Sequence, residues 1–356
     1  MRSWRVVLGL AISAGFLVFA FRGQDYGRIR EALGQANYLY VVPALMLYFA
    51  GIAVRAFRWK VLLRPIVRVS ATEVLPINVV GFMANNVLPL RTGEVVRAYV
   101  LSQRFGVRKT AALATIAVER LFDGLTMLLF ILVAATAVSL TNQVRHVAIL
   151  AFVLFAGILI GLFVLTLGGS LRDRLLQVVL GPLPTPVADR VERMAESFLS
   201  GLGILRRKAD LAVVAGASII AWLFEASMYW MTARAFGHQL SDIMGIPETL
   251  LTTGVANLAT LIPSSPGYVG PFEGGVMLVL SGALRVSREL ALSYAIVLHA
   301  ALYFPITVWG ALEWWRQHLS LRTARQLNGE PAEARPAAPG MAAQATRQLS
   351  GRGTPR

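Results

Sequence analysis

Long apolar runs, each about long enough to cross a bilayer, recur along this chain and restrict it to the folds that lipid permits. Hydrophobic residues make up 56% of the 356 positions and charged residues 15%, and the mean hydropathy is +0.61. Water-soluble domains are usually about 45–50% apolar. Because lipid offers no partner to backbone polar groups, helices are the economical way to cross it. The sequence therefore predicts an all-α polytopic integral membrane protein of the cell (cytoplasmic or inner) membrane.

The composition also restricts the chemistry of the chain. There is no cysteine, and the four histidines lie far apart in sequence. We therefore predict no metal site and no cofactor. The net charge of +15 comes from basic clusters between apolar runs, and not from an amphipathic or aromatic-rich face. Membrane topology explains such clusters, so we expect the lipid bilayer and a membrane lipid as partners, and no nucleic acid.

Basic loops mark the cytoplasmic side of a membrane protein. The densest of them runs from Arg55 to Arg68 after a predicted span at 39–56, which places both termini in the cytoplasm. The other full spans, about six in all, are predicted at 4–21, 110–140, 147–167, 211–235 and 290–315. The first is also typical of a secretory signal peptide, but no clean small-x-small cleavage site precedes Arg22, which favours an uncleaved span.

Two regions differ from the predicted transmembrane domain, which covers residues 1–315. Residues 168–210 read as a cytoplasmic amphipathic loop whose second helical piece starts near Pro186. Residues 316–356 are rich in Ala, Pro, Gly and Arg and predict a disordered basic cytoplasmic tail.

Two apolar segments, at 74–90 and within 246–284, begin and end on the same side by the charge pattern, so we predict re-entrant, broken-helix hairpins. Each carries an Asn ahead of a Pro, then a Gly and a Glu. The two sets are Asn85, Pro89, Gly93, Glu94 and Asn257, Pro263, Gly267, Glu273. The segments are predicted to enter from opposite faces. Their similarity indicates an inverted repeat, whose half-helix N-termini meet near the midplane. Alternatively it is a coincidence, because Pro and Gly are common in membrane helices.

Polar residues cluster at the hairpins and in the span after the first one. A charge at mid-bilayer costs roughly 2.5–3.5 kcal/mol on insertion scales, which indicates some use for these groups. The candidate headgroup-binding residues are Asn85, Asn86, Arg91, Glu94, Arg97, Glu119, Arg120, Asp123, Asn257 and Glu273. The candidate gating or hinge residues are Pro89, Gly93, Pro263, Ser264, Ser265, Pro266, Gly267 and Gly270.

Each of these residues also has a purely structural interpretation. Glu119, Arg120 and Asp123, spaced for one helix face, would form an ion-pair cluster, and Arg91 and Arg97 would be positive-inside markers. The asparagines would cap the broken helices. Ser264 and Ser265 lack the context of a hydrolase nucleophile and are interpreted as hinge and cap residues. Glu225 and Glu273 are candidates for proton coupling or for pairing with Arg120 or Arg234.

Three segments together, NNVLPLRTGEVVRAY, VERLFDG and PSSPGYVGPFEG, resemble the lysylphosphatidylglycerol synthase transmembrane region, or flippase-like, family of bacterial and archaeal membrane proteins. In the best-known members this region precedes a soluble aminoacyl-transferring domain and is thought to translocate the modified lipid. The chain ends in a short tail, so the resemblance implies a stand-alone flippase-like module without the synthase activity.

The leading prediction is a lipid translocase and not an enzyme, moving an anionic or aminoacylated phospholipid or a polyprenyl-phosphate-linked lipid between leaflets. No P-loop pattern is present, so we expect no nucleotide site. The alternative is a membrane-embedded enzyme or partner subunit in glycolipid or isoprenoid-lipid assembly, and a structural subunit is a third reading. A homo-oligomer and a partner enzyme of lipid biosynthesis stay open.

Overall fold

The computed structural model describes residues 3–88, 92–167, 185–262 and 265–316, and within these ranges it contains helices and no strand. The α-helices are α1 Ser3–Phe21, α2 Tyr26–Gln35, α3 Val41–Leu63, α4 Ala71–Val87, α5 Gly93–Phe105, α6 Lys109–Ala134, α7 Asn142–Leu167, α8 Thr185–Gly201, α9 Lys208–Arg234, α10 His238–Ser241, α11 Ile246–Ala259, α12 Pro271–Met277 and α13 Arg288–Arg316. Single 3-10 turns lie at Tyr38–Tyr40, Leu202–Arg206 and Pro266–Tyr268, and a π-helical turn, Leu278–Ala283, follows α12.

Among the described residues, four helical stretches are long and apolar enough to cross a membrane, which confirms a multi-pass membrane protein. They are Tyr38–Leu63, Asn142–Leu162, Lys208–Arg234 and Arg288–Arg316. The predicted spans in α1 and α6 are not among them. In α6 the reason is the three charged residues Glu119, Arg120 and Asp123, which raise the cost of exposing that helix to lipid.

The predicted second span ends too early. It was placed at 39–56 with Arg55 and Arg58 in a cytoplasmic loop, but α3 continues to Leu63 and both arginines are buried within it. Burial is possible because carboxylates on α6 and α9 face these guanidinium groups. The interpretation of these two residues as loop markers of topology is therefore wrong.

The first hairpin is not folded within 74–90 as predicted, because residues 71–87 form one continuous helix, α4, with Pro76 inside it. The hairpin consists instead of α4 and α5, so the predicted surface helix at 94–105 is its second arm. Gly93 at the start of α5 lies against Asn85 near the end of α4, and Arg97 lies against Gly81. A Cβ on Gly93 would come within 2.1 Å of the carbonyl oxygen of Gly81, so only glycine permits this approach. The predicted amphipathic helix at 94–105 corresponds to α5.

The second hairpin consists of α11 and α12. Gly275 of α12 packs against Val255, Ala256 and Ala259 of α11. Two glycines precede α12 in left-handed conformations, with φ of +72° at Gly267 and +99° at Gly270. This is the break in the helix that the Pro and Gly pattern predicts.

The contacts between these helices have a twofold pattern, in which each helix of one half has a counterpart in the other half. Helix α3 packs along α9, α4 packs on α13, and α6 packs on α11. Exchanging α3 with α9, the first hairpin with the second and α6 with α13 leaves this set of contacts unchanged. Helices α3 and α9 are antiparallel, because Arg64 pairs with Asp210 and Arg55 with Glu225. A symmetry operation that exchanges two antiparallel helices relates two halves of the chain that run in opposite directions. This is the signature of an inverted repeat, in agreement with that interpretation of the hairpins.

The predicted amphipathic loop at 168–210 is described only from α8 onward. The helix begins at Thr185, next to the start predicted near Pro186, and Thr110 of α6 donates a hydrogen bond to its Ser197 at 2.6 Å. The first piece of the predicted amphipathic loop, at 168–184, and the predicted tail from residue 317 lie outside the described residues.

Candidate functional site

A cavity of about 430 Å³ lies where the two hairpins meet the long helices. Asn85 and Asn86 of the first hairpin line it, and so do Gly267 and Tyr268 of the second. The tips contact each other through α13, since the Tyr303 hydroxyl donates to the Asn86 carbonyl at 3.3 Å and the Tyr303 ring lies against Gly267. The meeting of two broken segments around a cavity is the arrangement that the inverted-repeat interpretation predicts.

One wall of the cavity is charged, and its centre is Asp123. Its Oδ1 accepts from Arg58 Nη1 at 2.6 Å and from Trp222 Nε1 at 2.8 Å. Arg58 also donates to Ser218 at 2.8 Å, so it connects α3, α6 and α9. Because Arg58 is fully buried, these partners replace the water that its charge loses on folding.

Behind this wall lies the pair of Arg97 and Glu119. The guanidinium group donates two hydrogen bonds to the carboxylate, each 3.0 Å, and its centre lies 4.2 Å from the centroid of the Trp59 ring. Arg58 approaches the same carboxylate at 3.3 Å. The planar fork of arginine suits this bidentate contact, which attaches the first hairpin to α6.

Arg120 is the cation of this group that is most open to the cavity, with 35% of its side chain exposed. It pairs with Glu94 of the first hairpin at 3.3 Å and with Asp123 at 3.4 Å. The second contact confirms the i, i+3 pairing predicted from the sequence. Because Glu94 belongs to the hairpin and Asp123 to α6, Arg120 bridges the two elements.

A second arginine borders the cavity from α3. Arg55 donates to Glu225 of α9 at 2.7 Å, and its guanidinium centre lies 4.3 Å from the centroid of the Trp222 ring. Glu225 therefore pairs with Arg55 and not with Arg120 or Arg234. Arg234 instead stacks on Trp230, with its guanidinium centre 3.7 Å from the ring centroid.

The asparagines of the first hairpin have different structural tasks. Asn85 Oδ1 accepts the backbone N–H of Gly93 at 2.8 Å, so it caps α5 as predicted. Among the described residues, the contacts of Asn86 are with α13 and none of them caps a helix. Its Nδ2 donates to Thr307 Oγ1 at 2.8 Å and to the Tyr303 carbonyl at 3.3 Å, which attaches the hairpin to α13.

Polar contacts from three helices hold the second hairpin. Glu273 accepts the backbone N–H of Gly270 at 2.6 Å and contacts His299 of α13 at 2.5 Å. His299 Nε2 donates to the Gly267 carbonyl at 2.8 Å, and the Ser265 backbone N–H donates to the Ser13 hydroxyl at 2.8 Å. Asn257 is tied to α9 through a 3.0 Å hydrogen bond to the Tyr229 hydroxyl.

The structure brings most of the candidate residues to one place. The cavity is lined by Asn85, Asn86, Glu94, Arg120, Asp123, Asn257 and Gly267. Arg97, Glu119, Glu273, Gly93, Ser265, Pro266 and Gly270 lie in the shell around it, where they hold the lining residues or the hairpin tips. Pro89, Arg91, Pro263 and Ser264 lie outside the described residues.

The sequence analysis gave no place in the site to five residues that the structure puts there: Arg55, Arg58, Trp222, Tyr268 and His299. The signal for the arginines was present, because they lie within three residues of each other inside an apolar run. The positive-inside rule assigned both arginines to a cytoplasmic loop, which left no reason to look for buried partners.

On its apolar side, the cavity is bounded by residues of α7. Leu154 and Ile158 line the cavity and are also 48% and 40% exposed. Between them, the Phe155 ring packs directly on Gly124 of α6, where an added Cβ would come within 2.0 Å of it. The cavity is therefore amphipathic, charged on one side and bounded on the other by partly exposed apolar residues of α7. No group of three or more potential metal ligands occurs among the described residues.

These features define a multi-pass α-helical membrane protein with two hairpins around an amphipathic cavity. The family model for the lysylphosphatidylglycerol synthase TM region matches residues 6–310, and the chain belongs to that family.

Several curated relatives align with most of the length of this chain. Glycosyltransferase AglD of Haloferax volcanii is 24% identical, and the match covers 91% of this chain and 56% of that protein. This chain thus spans little more than half the length of that relative. A UPF0104 membrane protein of Methanothermobacter thermautotrophicus is 25% identical, with 86% and 92% covered, and UPF0104 membrane protein MJ1595 of Methanocaldococcus jannaschii is 22% identical, with 82% and 88% covered.

Proposed function

We propose that this chain is a lipid translocase of the cytoplasmic membrane, with both termini in the cytoplasm. Its substrate would be an anionic or aminoacylated phospholipid or a polyprenyl-phosphate-linked lipid. The headgroup enters the cavity between the hairpins, while the hydrocarbon chains stay in the bilayer beside α7. The chain itself catalyses no covalent step in this proposal.

The observation that carries the proposal is the amphipathic cavity. A lipid crossing a membrane needs a polar path for its headgroup and continuous contact with hydrocarbon for its chains. Arg55, Arg120 and their carboxylate partners provide polar groups, and Leu154 and Ile158 connect the cavity to the lipid-facing surface. Burying six charged groups, with Arg120 and Glu94 half-buried beside them, is costly and is typical of sites that handle polar cargo in membranes.

The twofold exchange of helices supplies a mechanism. In inverted-repeat transporters the two halves exchange conformations around a fixed site. Here the hairpins would alternate as inner and outer gates, with Arg120 following the first hairpin through Glu94. The left-handed glycines at the second tip provide a point about which that hairpin bends.

A second candidate function rests on the relative named Glycosyltransferase AglD. In this alternative the chain assists an enzyme of lipid-linked glycan assembly, holding the lipid without moving it across the membrane. Both functions use the same cavity and differ in whether the lipid changes leaflet.

Leaflet redistribution in vesicles separates the two. Fluorescent phosphatidylglycerol, its lysyl derivative and a polyprenyl phosphate are placed in one leaflet of vesicles with the purified chain and of protein-free vesicles. The translocase proposal predicts that at least one lipid redistributes faster with the protein. If folded protein moves none of them, the assisting role is favoured and capture of a partner enzyme becomes the next measurement.

A further inference from the structure

His299 of α13 holds the second hairpin through both nitrogen atoms of its imidazole ring. Its Nε2 lies 2.8 Å from the Gly267 carbonyl oxygen, and its Nδ1 lies 2.5 Å from Oε1 of Glu273. A carbonyl oxygen only accepts hydrogen bonds, so Nε2 carries a proton. The contact of Nδ1 with the carboxyl group then requires a second proton, because a nitrogen lone pair and a carboxylate oxygen would repel each other at this distance. The two side chains therefore share one proton between Nδ1 and Oε1.

The other carboxyl oxygen of Glu273 has a structural task. Oε2 accepts the backbone N–H of Gly270 at 2.6 Å, directly before α12 begins. The shared proton is therefore on the Oε1 side, and the pair is neutral as a whole whether that proton belongs to nitrogen or to oxygen. Losing it would leave one negative charge on His299 and Glu273, whose side chains are only 12% and 7% exposed. An unpaired charge in such a place is costly, so the loss favours a conformation in which water reaches the carboxylate.

The position of the pair connects this proton to the cavity and to the attachment of the second hairpin. His299 lines the cavity, and the Phe272 ring packs beside the imidazole with 4.7 Å between the ring centroids. One turn further along α13, the Tyr303 hydroxyl donates to the Asn86 carbonyl of the first hairpin. Helix α13 thus holds the first hairpin through a tyrosine and the second through a shared proton. Loss of that proton weakens the attachment of the second hairpin and leaves the contact with the first in place.

We propose that the pair of His299 and Glu273 is a proton site, and that the proton is the coupling ion of the translocase. This inference rests on the proposed function and names its energy source. With the proton bound, the second hairpin is attached to α13 and closes its side of the cavity. When the proton passes to water in the cavity, a neutral imidazole and a carboxylate remain, their hydrogen bond is lost and the hairpin opens. The proton is taken up again on the side to which the second hairpin opens, so one proton crosses the membrane in each cycle.

One variant separates the pair from the other groups that surround it. Glu273→Gln keeps an oxygen for the Gly270 N–H and offers an amide N–H to Nδ1 of His299, so it imitates the protonated pair at every pH. All other titratable and charged groups remain in that variant. Those that face the pair or the same cavity are Tyr229, Tyr268, Tyr303, Arg55, Arg120, Glu94, Asp123 and Glu225.

Hydrogen exchange, measured by mass spectrometry, tests the proton site without any transport. The full chain in nanodiscs is compared with Glu273→Gln at the same pH, which cancels the effect of pH on chemical exchange. Histidine changes its charge between about pH 5 and about pH 8. Over residues 265–277 we expect equal exchange at about pH 5 and at least about tenfold faster exchange in the wild type at about pH 8. Helix α5 of the first hairpin is expected to exchange equally in both proteins. Equal exchange of residues 265–277 at both pH values overturns the inference.

Two further variants complete this comparison. Asp242→Asn is the matched control, because it removes the carboxylate from an exposed pair of the same kind, in which Nδ1 of His238 lies 3.3 Å from Asp242. It is expected to exchange like the wild type at both pH values. His299→Gln removes the imidazole and is expected to exchange equally at residues 265–277 with Glu273→Gln, and it takes the place of that variant if Glu273→Gln does not fold. Wild-type behaviour of folded His299→Gln at both pH values would contradict the proton site.

The distribution of lipid between leaflets tests the coupling. Vesicles with the protein and protein-free vesicles contain fluorescent phosphatidylglycerol, its lysyl derivative or a polyprenyl phosphate, and the membrane potential is held at zero. With one proton per lipid, a gradient of about one pH unit supports about a tenfold difference in lipid between the leaflets. We expect this difference with the wild type and with Asp242→Asn, and an even distribution with Glu273→Gln.

Coupling and movement fail separately. Lipid that moves with the wild type but ignores the pH gradient contradicts the coupling and leaves the translocase standing. If no lipid moves while the exchange of residues 265–277 still depends on pH as expected, the translocase is contradicted and the proton site is supported.

Discussion

Arg97 and Glu119 form a bidentate ion pair with two hydrogen bonds of 3.0 Å, and each side chain is only 2% exposed. Removing one member leaves the other charge buried without its partner, which typically costs about 3–5 kcal/mol. We therefore expect Arg97→Leu to lower the melting temperature of the purified protein strongly. Arg316→Leu is the control, since that side chain is 72% exposed and its pair with Glu313 contributes little. Equal melting temperatures for the two variants would contradict the structural role of the pair.

The contact between Gly124 and Phe155 predicts a rescue. Gly124→Ala places a Cβ against the Phe155 ring, so α7 has to move away from α6, and overpacking of this kind costs about 1–3 kcal/mol. Removing the ring in Gly124→Ala/Phe155→Ala relieves the clash. We expect the double variant to lose less stability than the sum of the losses in Gly124→Ala and Phe155→Ala measured singly.

Gly157→Ala is the matched control for that rescue, because no atom lies within 4 Å of the added Cβ. It is expected to melt like the wild type. If Gly124→Ala also melts like the wild type, the close packing of α6 and α7 described here is wrong.

The hydrogen bond from the Gly93 N–H to Asn85 predicts that the side-chain oxygen of Asn85 contributes to stability. Asn85→Ala removes the acceptor for the Gly93 N–H and is expected to cost about 1 kcal/mol, the usual value of a helix cap. Asn85→Asp keeps an oxygen at the same place and is expected to retain most of the stability. A chemical-denaturation series of the two variants measures the difference, and an equal loss in both would exclude capping as the reason for this residue.

The proposed topology is open to direct labelling, because the chain has no cysteine. Ser287 and Gln103 are both exposed, and the proposal places them on opposite sides of the membrane. A membrane-impermeant thiol reagent applied to intact cells is expected to label Ser287→Cys and not Gln103→Cys. Labelling of both from the same side would remove the inverted arrangement of the two hairpins.

How much of this architecture the sequence predicts depends on the distance between partners along the chain. The i, i+3 pair of Arg120 and Asp123 is visible in the sequence, as are the breaks near Gly93 and Gly267. Arg58 and Asp123 are 65 residues apart, and Arg55 and Glu225 are 170 apart. No local pattern contains such pairs, so both arginines were assigned to a loop.

The same limit explains the parts of the site that sequence reasoning missed. Tyr268 looks ordinary in the sequence, and only its backbone conformation distinguishes it. The apolar wall at Phe155 depends on a glycine 31 positions earlier that lies on another helix. Apolar periodicity places helices in the membrane, but the packing between them decides which faces enclose a cavity.

The most direct test of the account compares two arginines of similar exposure. Arg120 lines the cavity with 35% of its side chain exposed, and Arg64 pairs with Asp210 away from the cavity with 45% exposed. Lipid redistribution is measured in vesicles that contain equal amounts of wild type, Arg120→Gln or Arg64→Gln, each confirmed to elute and melt as folded protein. The account predicts that Arg120→Gln slows the redistribution of the transported lipid at least about tenfold while Arg64→Gln stays within about twofold of the wild type. Wild-type rates in folded Arg120→Gln would contradict the placement of the headgroup in this cavity.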